Sequence, residues 1–136
     1  MNGPDLIKNV KALNLPLGQY IVVGGGILSV LGLRDSKDID ITVSGKVFES
    51  LKEQEWEETD GPEGRKKLVS KTVEVFQDFK CGDYRPETAD LIANAQIIDG
   101  VPFLKLEELL KFKKILRREK DLKDISLIES YIAHKT

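Results

Sequence analysis

The segment running from Tyr20 to Val43 constrains this chain more than any other: an apolar strand, three consecutive glycines, a short apolar helix and a second strand. Tyr20-Ile-Val-Val23 reads as a buried strand that Gly24, Gly25 and Gly26 break, and Ile27 to Leu31 form one short helix that ends near Gly32. The second strand, Asp38-Ile-Asp-Ile-Thr-Val43, alternates strictly. Period two predicts Ile39, Ile41 and Val43 on the core side and Asp38, Asp40 and Thr42 on the other. The two carboxylates then point the same way, roughly 7 Å apart along the strand.

Carboxylates are poor strand formers, and like charges so placed repel each other. Two readings are open. Either the polar face simply meets solvent, or a hard divalent cation such as Mg²⁺ resolves the repulsion, taking one or two carboxylates and drawing its other ligands from phosphate and water. The glycines bear on that choice. They permit a tight turn and close approach of a ligand to the main chain, and the helix behind them offers unpaired N–H groups to a phosphate. Neither GxGxxG nor GK[ST] is present, so this is not a dinucleotide-binding fingerprint or a P-loop. A turn that seats phosphate beside a strand that holds metal is the minimum equipment for moving a nucleotidyl group.

The rest of the chain predicts one α/β (α+β) domain over residues 1–136. Helices are expected over residues 5–14, 47–54, 87–95, 106–118 and 121–133, and further strands over 56–59, 65–69, 72–79 and 96–99. Strands interleaved with helices, with a hairpin between them, imply a mixed sheet covered by helices. A chain of 136 residues buries roughly two thirds of its unfolded surface, enough for one core and little more. No apolar run approaches the ~20 residues of a membrane span, and the N-terminus lacks a signal peptide's regions. The single cysteine, Cys81, has no internal disulfide partner. A cytoplasmic protein is expected.

Charge is unevenly spread. Glu49 to Glu63 holds seven acids against one lysine, and Lys105 to Lys123 holds eight bases against four acids. Such mixed segments read as solvated faces and do not demand bulk nucleic-acid binding. Trp56 and Tyr20 read as packing residues, and His134 as exposed. Leu106, Leu109, Leu110 and Leu116 form an apolar stripe on a helix, with Lys113 in its middle. A buried ammonium is costly unless paired. Lys113 therefore either bridges to an acid such as Asp121 or Asp124, locking the last two helices together, or carries its charge to a bound nucleotide.

The segment VVGGGILSVLGLRDSKDIDITV resembles the polymerase-beta-like nucleotidyltransferase superfamily, whose small single-domain members often read GG, a further glycine, then R-x-T-x-D-I-D. Gly24, Gly25, Gly32, Arg34, Asp38 and Asp40 match, with Ser36 where threonine is common. The ending is also similar: Glu107, Glu108, Leu109, Lys113, Arg118, Lys120, Asp121, Leu122 and Asp124 match an L-E-[DE]-L, lysine, R-x-K-D-L-x-D pattern. The two stretches span about a third of the chain.

The resemblance implies a sheet of about five strands, with Asp38 and Asp40 as Mg²⁺ (or Mn²⁺) ligands and catalytic residues. It puts Gly24, Gly25, Arg34 and Lys113 near an NTP, with ATP the expected nucleotide. It also implies a third carboxylate from a later strand, for which Glu74 is the best match and Asp78 the alternative. The implied activity is transfer of a nucleoside monophosphate to an acceptor hydroxyl, and so short a chain leaves recognition largely to the acceptor. A protein hydroxyl is preferred to an RNA end, since no aromatic stacking series appears. A homodimer or a helical partner protein would complete the cleft. The alternative is a catalytically inactive nucleotide-binding or protein-interaction module of the same fold. Small members of the superfamily occur in toxin–antitoxin and defence systems, a setting that suits either reading.

Overall fold

The computed structural model describes residues 1–135. The first and third of its helices begin at side-chain caps that the sequence supplies. Helix α1 (Gly3–Lys11) has Asn2 at its N-cap, accepting a hydrogen bond from the Asp5 amide at 2.9 Å, and buries Leu6, Ile7 and Val10. Strand β1 (Tyr20–Val23) is buried throughout and runs through the glycine turn into α2 (Gly26–Val30). Strand β2 (Ile39–Val43) is followed by α3 (Gly45–Lys52), whose N-cap Ser44 accepts from the Val47 amide at 3.3 Å. A meander of β3 (Glu57–Asp60), β4 (Lys66–Ser70) and β5 (Val73–Phe76) comes next. Helix α4 (Thr88–Ala93), the hairpin β6 (Gln96–Ile98) and β7 (Val101–Phe103), then α5 (Leu106–Leu116) and α6 (Glu119–Lys135) finish the chain.

Among the described residues the protein is mixed α/β, with seven strands in one mixed sheet, order β3-β4-β5-β2-β1-β7-β6, and six α-helices. Strand β2 is central, antiparallel to β1 and parallel to β5. Its Ile39, Ile41 and Val43 are fully buried, beside Val73 and Val75 of β5 and Leu68 of β4. No helix among the described residues is long and apolar enough to cross a membrane.

Seven strands replace the five or so that the resemblance implied. The addition at the C-terminal side is β7, which holds Pro102, a residue that argues against a strand. Its position makes it tolerable. Strand β7 meets β1 only at Phe103, and the Leu104 amide, not that of Pro102, donates to the Val22 carbonyl at 2.9 Å. The turn between β6 and β7 is Asp99-Gly100, with φ of 54° and 81°, the two positive values that a tight two-residue hairpin requires.

Three further expectations need correction. The strand expected over 72–79 ends at Phe76, because residues 77–81 leave the sheet to pack Phe79 against Phe112, ring centroids 3.9 Å apart. Asp38 lies one residue before β2 and is exposed, so the strand carries one of the two acids. Thr42, expected on the open face, is fully buried, because the departing segment covers its end of β2 and its hydroxyl donates to the Asp78 carbonyl at 3.3 Å.

Candidate functional site

Strand alternation builds the centre of the site. Leu68 and Val75 face the core, which puts Lys67 of β4, and Glu74 and Phe76 of β5, on the opposite side of the sheet. The parallel register sets Asp40 directly beside Glu74, and the antiparallel register sets Asp40 beside Val23, the last residue before the glycine turn. Asp38, Asp40 and Glu74 therefore line one open cleft of about 1770 Å³, together with Gly24, Gly25 and Arg34. Lys113, from α5, closes part of its wall.

Asp40 is the anomalous group. Its Oδ1 is buried without a hydrogen-bond partner among the described residues. Burial first, then the charge of Glu74 and a hydrogen bond to it, then the charge of Asp38, push its pKa up to about 7, with Lys67 opposing. The Lys67 ammonium sits 2.5 Å from Glu74 Oε1 and is, among the described residues, the one cation ion-paired to these three acids. No group of three or more His, Cys, Asp or Glu among the described residues is drawn together as a ready-made metal cage. The donor set nonetheless suits a hard divalent cation: three carboxylates on one wall, one with an orphaned buried oxygen, share a single ammonium. Asp78, the alternative third acid, also lines the cleft, but it lies beyond the end of β5 and pairs with Arg65 at 2.9 Å.

The glycine turn has reasons internal to the protein. Gly24 has φ of +64°, and a Cβ there would lie 2.9 Å from Asp40 Oδ2. A Cβ on Gly25 would collide with the Arg34 guanidinium. The turn thus admits two side chains to the cleft edge, and α2 behind it is only five residues long. Ser36 braces the same corner, hydrogen-bonded to Ser29 and donating to the Gly25 carbonyl at 3.4 Å.

Arg34 in turn is clamped from 90 residues away. Its Nε and one terminal nitrogen donate to the two Asp124 oxygens at 2.7 and 2.8 Å. Asp124 also receives Lys113 at 2.9 Å, and Lys113 reaches Asp121 at 3.2 Å, which Arg118 grips through its guanidinium at 2.7 Å and its amide at 3.0 Å. Lys113, Asp121 and Asp124 are all buried. Lys113 bridges both acids and joins α5 to α6. Burial would raise both carboxyls, but Arg118 and Lys113 outweigh it at Asp121, and Arg34 and Lys113 at Asp124, holding both below the usual carboxylate range.

Of the cleft residues, Lys37, Lys67, Lys80 and Lys123 escaped the sequence reading, which had noted Lys120 only in the C-terminal pattern. Lys67 gave no signal beyond lying on a strand of alternating character. Lys37, Lys80, Lys120 and Lys123 line the cleft without an ion pair among the described residues, so their charge faces whatever enters. The Arg34–Asp124 pair joins the two motif stretches, but nothing in their spacing announces the contact. Elsewhere, Trp56 packs partly buried against the core, and His134 is exposed on α6. Ile125 and Ile128 of α6 are buried within the protein, whereas Leu122 remains 47% exposed. Set against protein-family models, curated proteins and solved structures, the chain matches none.

Proposed function

We propose that this protein is a small nucleotidyltransferase of the polymerase-beta-like type, moving a nucleoside monophosphate from an NTP to an acceptor hydroxyl. The observation that carries the reading is Asp40: a strand carboxylate with a buried oxygen that, among the described residues, has no partner, flanked by Glu74 and Asp38 in a cleft whose Lys80, Lys120 and Lys123 make no ion pair among those residues. Asp38, Asp40 and Glu74 would hold Mg²⁺ or Mn²⁺, which when bound neutralises charge on the triphosphate and on the departing pyrophosphate.

The remaining work belongs to the chain itself. Lys80, Lys120 and Lys123 attract the triphosphate, and Arg34, held over Gly25, orients it. The acceptor oxygen bonds to the α-phosphorus as its proton passes to a carboxylate, and the bond to the β-phosphate oxygen breaks, releasing pyrophosphate. A cleft this open calls for a large acceptor, and a protein hydroxyl is favoured over an RNA end because the chain has no aromatic stacking series.

The Lys67–Glu74 pair favours a second reading. A third carboxylate already neutralised at 2.5 Å fits a non-catalytic nucleotide-binding or protein-interaction module. Incubation with labelled NTPs, Mn²⁺ and cell lysate separates the two. Label on a protein that disappears with Asp40→Asn supports transfer, label on RNA or a metabolite changes the acceptor, and no transfer at all favours the module.

A further inference from the structure

Resting on the proposed metal-dependent reading, we propose that Lys67 is a built-in stand-in for the cation at Glu74, so that it opposes metal binding by the free protein and couples metal to nucleotide. Three observations converge. Lys67 and Glu74 stand on adjacent antiparallel strands, on the sheet face that Asp40 shares, with Lys67 Nζ 2.5 Å from Glu74 Oε1. The Lys67 side chain is only 21% exposed, and its ammonium lies 5.9 Å from the Phe76 ring centroid, so the charge is held low over the sheet. Asp40, next to Glu74 in register, keeps one buried oxygen without a partner among the described residues, so a single ammonium satisfies this group incompletely.

An ammonium and a divalent ion cannot both sit against the same carboxylate oxygen without strong repulsion. Metal entry at Glu74 therefore displaces Lys67 Nζ. The long, unbranched lysine stem lets the charge swing across the cleft while its backbone stays fixed in β4. A triphosphate gives the released ammonium a new partner. Metal and nucleotide then favour each other through one side chain, and by linkage the coupling is reciprocal. In the free protein Lys67 compensates part of the charge of the acidic wall.

The test is Lys67→Met, which keeps the stem and removes the charge. Mn²⁺ binding is measured by electron paramagnetic resonance and calorimetry, with and without a non-hydrolysable NTP analogue, in the wild type, Lys67→Met and Asp40→Asn. The proposal expects Lys67→Met to bind Mn²⁺ alone at least tenfold more tightly than the wild type. It also expects the tightening by nucleotide to fall to less than a third of the wild-type factor. Thermal unfolding supplies a readout independent of binding: Lys67→Met should melt lower than the wild type without metal and recover with Mn²⁺. Lys111→Met, which removes a surface lysine–glutamate pair outside the cleft, should show no such recovery.

Equal or weaker Mn²⁺ binding by Lys67→Met, with the wild type binding in an Asp40-dependent manner, overturns the stand-in role and leaves the metal reading intact. Binding that is absent from both proteins, or indifferent to Asp40→Asn, overturns the metal reading itself and this inference with it.

Discussion

Neutralising Lys113 is the sharpest perturbation of the packing between the last two helices. An unpaired buried charge ordinarily costs ~3–5 kcal/mol. Here three cations (Arg34, Lys113 and Arg118) face two carboxylates (Asp121 and Asp124), so removing Lys113 leaves each acid with its own guanidinium. The loss for Lys113→Met should therefore be smaller, about 2 kcal/mol, and Lys113→Ala should add about 1 kcal/mol for the missing stem. Asp121→Ala is different. It strips Arg118 of its partner, leaves Lys113 with Asp124 alone and removes the acceptor for the Arg118 amide, for a loss of ~3–5 kcal/mol.

Thermal and urea unfolding measure these differences, with about 4 °C of Tm per kcal/mol at this chain length. Both carboxyls have pKa values lowered on folding, so their contribution is present above the ordinary carboxylate range and is lost as pH falls through the lowered values. The gap between wild type and Asp121→Ala should shrink accordingly in acid. A loss within ~0.5 kcal/mol for Lys113→Met, or a loss larger than that of Asp121→Ala, would refute the reasoning.

Other outcomes follow from the acidic wall. Asp38→Asn with Asp40→Asn should abolish metal-dependent NTP binding in calorimetry while circular dichroism stays unchanged; equal binding would mark the pair as a surface feature. Because the Asp40 pKa is raised on folding, to about 7, its contribution is full below pH 4 and is lost as pH rises through 7. Asp40→Asn should thus stabilise the metal-free protein at pH 8, by at most about 4 kcal/mol, and hardly at pH 4; chemical unfolding at the two pH values decides. Glu74→Gln should weaken Mn²⁺ binding tenfold or more, whereas Asp78→Asn should lower Tm through Arg65 and spare metal affinity; the reverse pattern would exchange their roles. Gly25→Ala should displace Arg34 and cost about 1–2 kcal/mol, visible as a lower Tm that Asp124→Asn does not lower as far again.

How much was legible depended on whether the signal was local. Alternation in DIDITV located a central strand and its buried isoleucines, because period two is a property of neighbouring residues. Alternation put Glu74 and Asp78 on one strand face, so the preference for Glu74 rested on its likeness to the superfamily's third carboxylate, and nothing local showed that the chain leaves the sheet before Asp78. Lys113 was legible as an ammonium in an apolar stripe, and so were its two acidic partners one turn apart. Asp99-Gly100 is a hairpin signal and Pro102 speaks against a strand after it, and β7 went unread. The contacts of Lys67 with Glu74 and of Arg34 with Asp124 depend on strand order and helix placement. No spacing along the chain encodes either.

The position of β1 between β2 and β7 has a consequence for the order of assembly. Strands β3, β4 and β5 form a meander of short loops, and β1 reaches β2 through one small helix, so these pairings are cheap in chain entropy. The seam between Val22 and Phe103 joins residues some eighty positions apart, and the clamp between Arg34 and Asp124 spans more. Rates should therefore respond early to Leu68→Ala and late to Phe103→Leu, a contrast that φ-values measure directly. A nascent chain that has not yet exposed Phe103 cannot pair the outer edge of β1, and one without Asp124 cannot fix Arg34. The cleft is thus a late product of folding, complete only once the last helix has docked.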